Sequence, residues 1–255
     1  AGIDVLVIPP DPVAAVDGIE AAVKSGRISE ERVNESVRRV LRMKAALELD
    51  KNKLVDIEQI AAEIPSPERK ALAIDVARKA MTLIRNQRNT LPLRAGNNTC
   101  AVVLNRSRFT TDGRTFGRAF LAKDARAKVF YADETMSNEA LAQLERDLKA
   151  CTSVAVASFL PVASASTKQI PLPARQARLL KALEASSAKM ILLPFANPYL
   201  ISHFPAASAA VVPFSSVTTS ETAAVEAIFG EHPFVGKSPI RIPGVPETMD
   251  SAAGQ

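Results

Sequence analysis

Tryptophan is absent from the 255-residue sequence, and tyrosine, histidine and cysteine occur twice each. With only Tyr131 and Tyr199, few flat amphipathic rings are on hand to stack on sugars or bases. Two imidazoles (His203, His232) and two thiols (Cys100, Cys151), with no CxxC pair, argue against a metal centre. No cofactor is expected. The cysteines each stand just ahead of a β-rich run and read as two buried or half-buried thiols. No stretch reaches the roughly 18 uninterrupted apolar residues of a membrane span. Residues 1–10, AGIDVLVIPP, carry Asp4 and have neither the basic start nor the cleavage site of a signal peptide. The residues after the first sheet-like run, NRSRFTTDG, form neither GxGxxG nor a Walker sequence, so a nucleotide phosphate loop is missing. Ser158, Ser215 and Ser216 follow apolar runs but lack a GxSxG elbow, which leaves a serine hydrolase triad unsupported.

What is present is ordinary for a globular chain: 47% hydrophobic, 23% charged, net charge +5. The basic residues are mixed with acids along helical stretches such as ERVNESVRRVLRMK and PERKALAIDVARK and read as solvated faces. A nucleic-acid partner is not expected from them.

The first fifty residues read as strand, helix, helix. IDVLVIP is a continuous apolar run of the kind found in a parallel strand covered on both faces. Asp11 is a good N-cap, Pro12 suits the first helical position, and Gly26 offers a left-handed exit. Ser29 caps a second helix whose apolar stripe is Val33, Val37, Val40 and Leu41. Residues 50–65 form a polar connection with at most a short helical turn. Ser66-Pro67-Glu68 opens a long helix through about Asn86, with Leu72, Val76, Ala80 and Leu83 on one side.

From Asn98 the pattern alternates. Apolar runs at 100–104, 128–132, 153–159, 189–195 and 209–214 are separated by helical stretches near 112–123, 137–150, 173–187 and 220–230, with a short segment after Pro198. This predicts an α/β sandwich: a mostly parallel sheet of five to six strands with helices on both faces. The late stretch Phe229 to Glu247, FGEHPFVGKSPIRIPGVPE, holds three glycines and four prolines. It predicts a helix stop at Gly230, a reversal at Gly236 and a short edge strand over Ile240-Arg241-Ile242.

Four segments, in order, resemble glycoside hydrolase family 3, the β-glucosidases and β-N-acetylglucosaminidases. AGIDVLVIPPD (1–11) with VKSGRISEERVNESVRRVLRMK (23–44) is similar to that family's last barrel strand and closing helices. ARKAMTLIRNQRNTLPL (77–93) resembles the helix, short strand and Leu-Pro-Leu leading into its second domain. FANPYL (195–200) and AIFGEHPFVGKSPIRIPG (227–244) resemble its strand-end Asn-Pro and its late glycine-proline signature. The resemblance implies residues 1–55 as the remnant of a truncated (β/α)8-type barrel and 56–95 as a connection with its leading helix. Residues 96–247 would then be the C-terminal sandwich and 248–255 a tail.

It further implies a retaining glycosidase that places two groups on either side of a β-glycosidic bond. The nucleophilic aspartate would precede the strand that IDVLVIP resembles, upstream of this chain. The loop LPVASASTKQIPLPA (160–174), where many β-glucosidases of the family draw an acid/base glutamate, has no Asp or Glu. That favours the N-acetylglucosaminidase type, with its acid/base also upstream. No catalytic residue is therefore assigned within this chain. Asp112, Asp133 and Glu134 read as caps or solvated loop acids, Glu221 as a partner of its own helix dipole, and Glu226 as a surface carboxylate. Asn197 and Tyr199 stand at a strand's carboxyl end, where such sheets place ligands, although an Asn-Pro turn explains Asn197 structurally. The expected partners are a glycan substrate in the full-length enzyme and the missing barrel. The apolar residues 3–8 are expected to be mobile, self-associated or completed by that barrel. The alternative reading is a non-catalytic α/β domain that binds carbohydrate or protein.

Overall fold

The computed structural model describes residues 2–63, 66–160 and 172–245, the side chains of 61–63 excepted. Two units emerge, Ala1–Pro65 and Ser66–Gln255. The tail 248–255 and most of the loop 160–174 lie outside the described residues.

In the first unit, α1 (Pro12–Lys24) starts where Asp11 accepts a hydrogen bond from the Ala14 amide at 3.0 Å. Gly26 leaves it at φ +70°. Ser29 caps α2 (Glu30–Ala46) by accepting from the Arg32 amide, and α3 (Ile57–Glu63) turns the polar connection into a two-turn helix. The run IDVLVIP does not form the predicted strand. It has no ladder partner among the described residues, and Val7 and Ile8 are 80% and 90% exposed. A sequence shaped for a covered parallel strand stays unpaired when no neighbouring strand is supplied. Asp4 is held by the Ser36 hydroxyl at 2.7 Å, Arg39 at 2.9 Å and Arg32 at 3.1 Å. Those bonds, from Ser36 first, lower its pKa to about 2.

Among the described residues the second unit holds a six-stranded sheet. Its strands are β1 (Thr82–Asn86), β2 (Thr99–Leu104), β3 (Lys128–Ala132), β4 (Ser153–Ser158), β5 (Lys189–Pro194) and β6 (Ala209–Val212). The order across the sheet is β1-β6-β5-β4-β2-β3, parallel except for β1, which runs antiparallel to β6. The helices are α4 (Pro67–Ala80), α5 (Arg114–Lys123), α6 (Asn138–Lys149), α7 (Ala174–Glu184) and α8 (Thr218–Ile228). This is the α/β sandwich expected.

Period-two alternation sorts the strands into two cores. Val102, Leu104, Val154, Val156, Met190 and Leu192 pack with Leu144 and Leu148 of α6 and Leu179, Leu180 and Leu183 of α7. On the other face Ala101, Ala155, Ala157 and Ala209 leave room for the rings of Phe116 and Phe120 on α5. Phe159 stacks on Phe195 in the same layer, with centroids 4.5 Å apart.

The long helix predicted through Asn86 ends at Ala80. Met81 turns extended, and Thr82–Asn86 becomes β1. Leu83 continued the helical spacing, but pairing of Thr82 with Val212 satisfies backbone groups that a free helix end would leave unbonded. The predicted edge strand over Ile240–Ile242 is not formed either; the segment is a bend whose Ile240 and Ile242 pack on the first core. Two proline rings on either side of so short a segment remove the donors a ladder would need. Gly230 does stop α8, at φ +81°, with its own amide on the Ala227 carbonyl and the Glu231 amide on the Glu226 carbonyl. Gly236 serves close approach rather than reversal: a Cβ there would lie 2.7 Å from the Ala80 carbonyl oxygen and 2.8 Å from that of Met81.

The cysteines are not free thiols. Cys100 in β2 and Cys151 just ahead of β4 form a disulfide across adjacent parallel strands, with Cα atoms 6.0 Å apart.

Glu226 is more than a surface carboxylate. It accepts from Arg78 Nε at 2.9 Å and Nη2 at 3.1 Å, joining α8 to α4, with His232 Nε2 3.4 Å away. Arg78 first, against partial burial, lowers its pKa. Because the folded pKa lies below the unfolded value, the contribution is present above about pH 4.5 and is lost as pH falls through the folded pKa. Glu226→Ala is expected to cost about 1 kcal/mol at pH 7, Arg78 being half exposed. Urea unfolding at pH 7 and pH 3 checks it: the difference from the parent should shrink at the lower pH.

Candidate functional site

Where consecutive crossovers switch sides, a doubly wound sheet opens a crevice at the carboxyl ends of its strands. Here β2 leads to β3 through α5 on one face, and β3 leads to β4 through α6 on the other. The switch lies between β2 and β4.

Buried amide side chains gather at this end of the sheet. Asn105 directly follows β2; its Nδ2 donates to the Asp112 carbonyl at 3.1 Å. Gln176, in the first turn of α7, is fully buried, and its Nε2 donates to the Asn105 carbonyl at 2.8 Å. Asn197 follows β5, and its Oδ1 accepts from the Tyr199 amide at 3.1 Å, opening the 3-10 turn Pro198–His203. Among the described residues, the buried atoms Asn105 Oδ1, Gln176 Oε1 and Asn197 Nδ2 find no hydrogen-bond partner. Such groups can orient a polar ligand or hold ordered water. Being amides, they can neither take up nor release a proton at ordinary pH, so they supply no acid or base.

The acids named from the sequence are spread over the loops. Asp133 Oδ1 accepts from the Thr135 amide at 2.7 Å, and Glu134 pairs with Arg106 at 3.2 Å. Asp112 is exposed, and its side chain accepts no hydrogen bond from a described residue. Tyr199 is 38% exposed, and Asn197 acts as the cap of its own turn.

Glu221 departs most from the sequence reading. It does sit in the first turn of α8, but its carboxylate serves another helix: the Phe116 amide donates to its Oε2 at 2.7 Å, capping the start of α5. Burial pushes its pKa up, against the amides of Phe116 and Gly113, which favour the charged form. A buried acid with a raised pKa is a frequent catalytic signature. Here a helix N-terminus that lacks a side-chain cap of its own accounts for it.

Asp124 also serves backbone amides, but its pKa moves the other way. Burial opposes its charge, but the Gly96 amide at 2.9 Å, the Thr99 hydroxyl at 2.9 Å and the Arg126 amide at 3.1 Å outweigh it, and the pKa falls. Among the described residues no three His, Cys, Asp or Glu side chains converge as a metal site. A groove of about 410 Å³ between α6 and α7 has Glu139, Glu145, Arg175 and Arg178 along its walls, charges that largely cancel.

Sequence reasoning missed Asn105 and Gln176. A faint signal existed for the second: in PARQARLLKALE, Gln176 occupies the stripe of Leu179, Leu180 and Leu183, a polar side chain where an apolar one belongs. Asn105 gave none.

No family model matches the chain. A β-glucosidase B of Emericella nidulans is 34% identical over 94 residues, 37% of this chain and 11% of that protein. A β-N-acetylglucosaminidase/β-glucosidase of Cellulomonas fimi is 31% identical over 75 residues, 29% of this chain and 13% of that protein. Among solved structures, a glycoside hydrolase family 3 β-N-acetylglucosaminidase from Paenibacillus superposes with a TM-score of 0.58 at 22% identity, over 88% of this chain and 42% of that one. The structural likeness shows the fold. Together the matches bear out the resemblance to glycoside hydrolase family 3, over a part of those proteins only.

Proposed function

We propose that this chain, a relative of the family 3 glycoside hydrolases, is the C-terminal part of an enzyme that cleaves β-linked N-acetylglucosamine or glucose units with retention of configuration. Residues 1–55 are then the last strand and closing helices of its barrel, 56–95 the connection, and 96–247 the supporting sandwich. The nucleophile and the acid/base belong to polypeptide outside this chain. The observation that carries the reading is the pair of sequence matches to glycosidases over about an eighth of their length. The exposed run at residues 3–8 supports it, as does the exposure of Val13, Val16, Val37 and Leu41 on α1 and α2, the faces a barrel would cover. So does the use of Asp133, Glu134, Glu221 and Glu226 in local or helix-joining contacts.

Retaining chemistry needs two groups roughly 5 Å apart across the scissile bond when both are carboxylates. In this reading the sandwich braces the barrel and lends a loop near the rim of its active site. The chain alone is expected to leave nitrophenyl β-N-acetylglucosaminide and nitrophenyl β-glucoside at the background rate, while a fusion that supplies an upstream family 3 barrel hydrolyses one of them. Turnover by the chain alone would overturn the placement of the chemistry.

A further inference from the structure

Residues 105–130 carry five arginines and two lysines against two aspartates, a net +5 that equals the charge of the entire chain. Arg114, Arg118 and Lys123 lie on α5 and Lys128 on β3, with Arg106, Arg108 and Arg126 on the flanking loops. Helix α5 lies against the edge strand β3: a Cβ on Gly117 would fall 2.3 Å from the Tyr131 hydroxyl and 3.1 Å from Val129 Cγ1. Arg114 lies over the Tyr131 ring at 5.2 Å, and Arg118, one turn on, also bears on the Tyr131 phenol. Arg106 and Arg108 stand on the loop ahead of α5, with the Arg108 guanidinium 5.0 Å from the ring of Phe109, which is 84% exposed. Arg126 and Lys128 stand at the far end, exposed at the start of β3. The ten-residue helix sets the length of this stripe at about 15 Å.

Asp133 and Glu134 stand at the carboxyl end of β3 and Asp112 on the loop ahead of α5, three acids beside the seven cations. Among the described residues, Arg106 pairs with Glu134 and Lys123 with Glu231, and these are the only ion pairs the seven cations make. Asp112 is exposed at the loop, while Asp124 and Glu221 lie buried beneath and are committed to backbone amides. Arginine forks match carboxylates and phosphates in two-pronged geometry.

We propose that the α5–β3 face is a docking surface for an anionic polysaccharide, a carboxylate-bearing glycan that keeps the enzyme on an acidic matrix while its catalytic part works elsewhere. The choice of a glycan over other polyanions rests on the glycosidase reading; the cationic surface itself does not.

The test uses the whole chain and measures binding to polygalacturonate, to neutral dextran and to duplex DNA at several salt concentrations. Saturable binding to polygalacturonate is expected, stronger than to DNA and undetectable for dextran, with affinity falling steeply as salt rises. Arg114→Glu/Arg118→Glu is expected to weaken it at least about tenfold, each lost contact also flattening the salt dependence. Arg126→Glu/Lys128→Glu should do the same from the other end of the stripe, while Lys70→Glu on α4 leaves it unchanged. Absence of polygalacturonate binding, equal loss in the Lys70 variant, or DNA bound as tightly as the glycan would each overturn the proposal. None of these outcomes touches the hydrolase reading, which stands or falls on turnover.

Discussion

Replacing Cys100 and Cys151 together by alanine is expected to lower stability by about 5 kcal/mol. The bridge closes a loop across a sequence separation of 51 residues that includes β2, α5, β3 and α6. Loop-closure entropy for that length gives about 4 kcal/mol, whereas trimming two buried sulfurs to methyl groups loses only about 1 kcal/mol of packing. The entropic term therefore decides the outcome, and it acts on the unfolded chain. Urea midpoints of the parent, the double alanine variant and the reduced parent check it. The variant should fall only about 1 kcal/mol below the reduced parent. Both cysteines are buried, so reduction of the native protein should proceed only as fast as the chain opens. A variant as stable as the parent would mean that the two sulfurs are not joined in solution.

Glu221→Ala is expected to cost about 3 kcal/mol at pH 7. The substitution strips the cap from α5, leaves the buried Phe116 amide without an acceptor and opens a cavity beneath the helix. Glu221→Gln keeps an acceptor oxygen and should cost less than half as much. The pH dependence separates a cap from a mere space-filler. The folded pKa of Glu221 lies above the ordinary value because of burial. Between about pH 4.5 and that raised pKa, the folded state holds the proton more tightly than the unfolded one. Stability from this group is therefore complete below about pH 4.5 and is lost as pH rises through the folded pKa. Both variants should remove that decline, which equilibrium unfolding at pH 4, 5.5 and 7 would reveal. An unchanged slope in Glu221→Gln would show that the carboxyl group is not the titrating partner.

The parallel sheet was legible because β2, β4 and β5 are continuous apolar runs, and the turns between them carry serine caps such as Ser137 that do what their type suggests. β1 was hidden because Leu83 extends the helical spacing of Val76 and Ala80, and its strand partner β6 lies more than a hundred residues away. Distance along the chain hid the rest as well. Nothing near Glu221 announces an amide 105 positions earlier, and two isolated cysteines give no sign of their partnership. The reverse error arose at IDVLVIP, whose strand-like composition is real but needs neighbours that composition cannot provide. The amide cluster at the carboxyl edge was half visible: Asn197 through its Asn-Pro turn, Gln176 as a misplaced polar residue, Asn105 not at all.

The pairing of β1 with β6 has a consequence for biosynthesis. As the polypeptide leaves the ribosome, Thr82–Asn86 emerges long before Ala209–Val212, the segment that receives it. Through nearly the whole translation of the sandwich this edge must wait with its amides unmatched, while β2, β3 and β4 can already assemble beside one another. A nascent chain stalled before Ala209 should therefore engage holding chaperones at Thr82–Asn86, and release of that contact would mark completion of the layer.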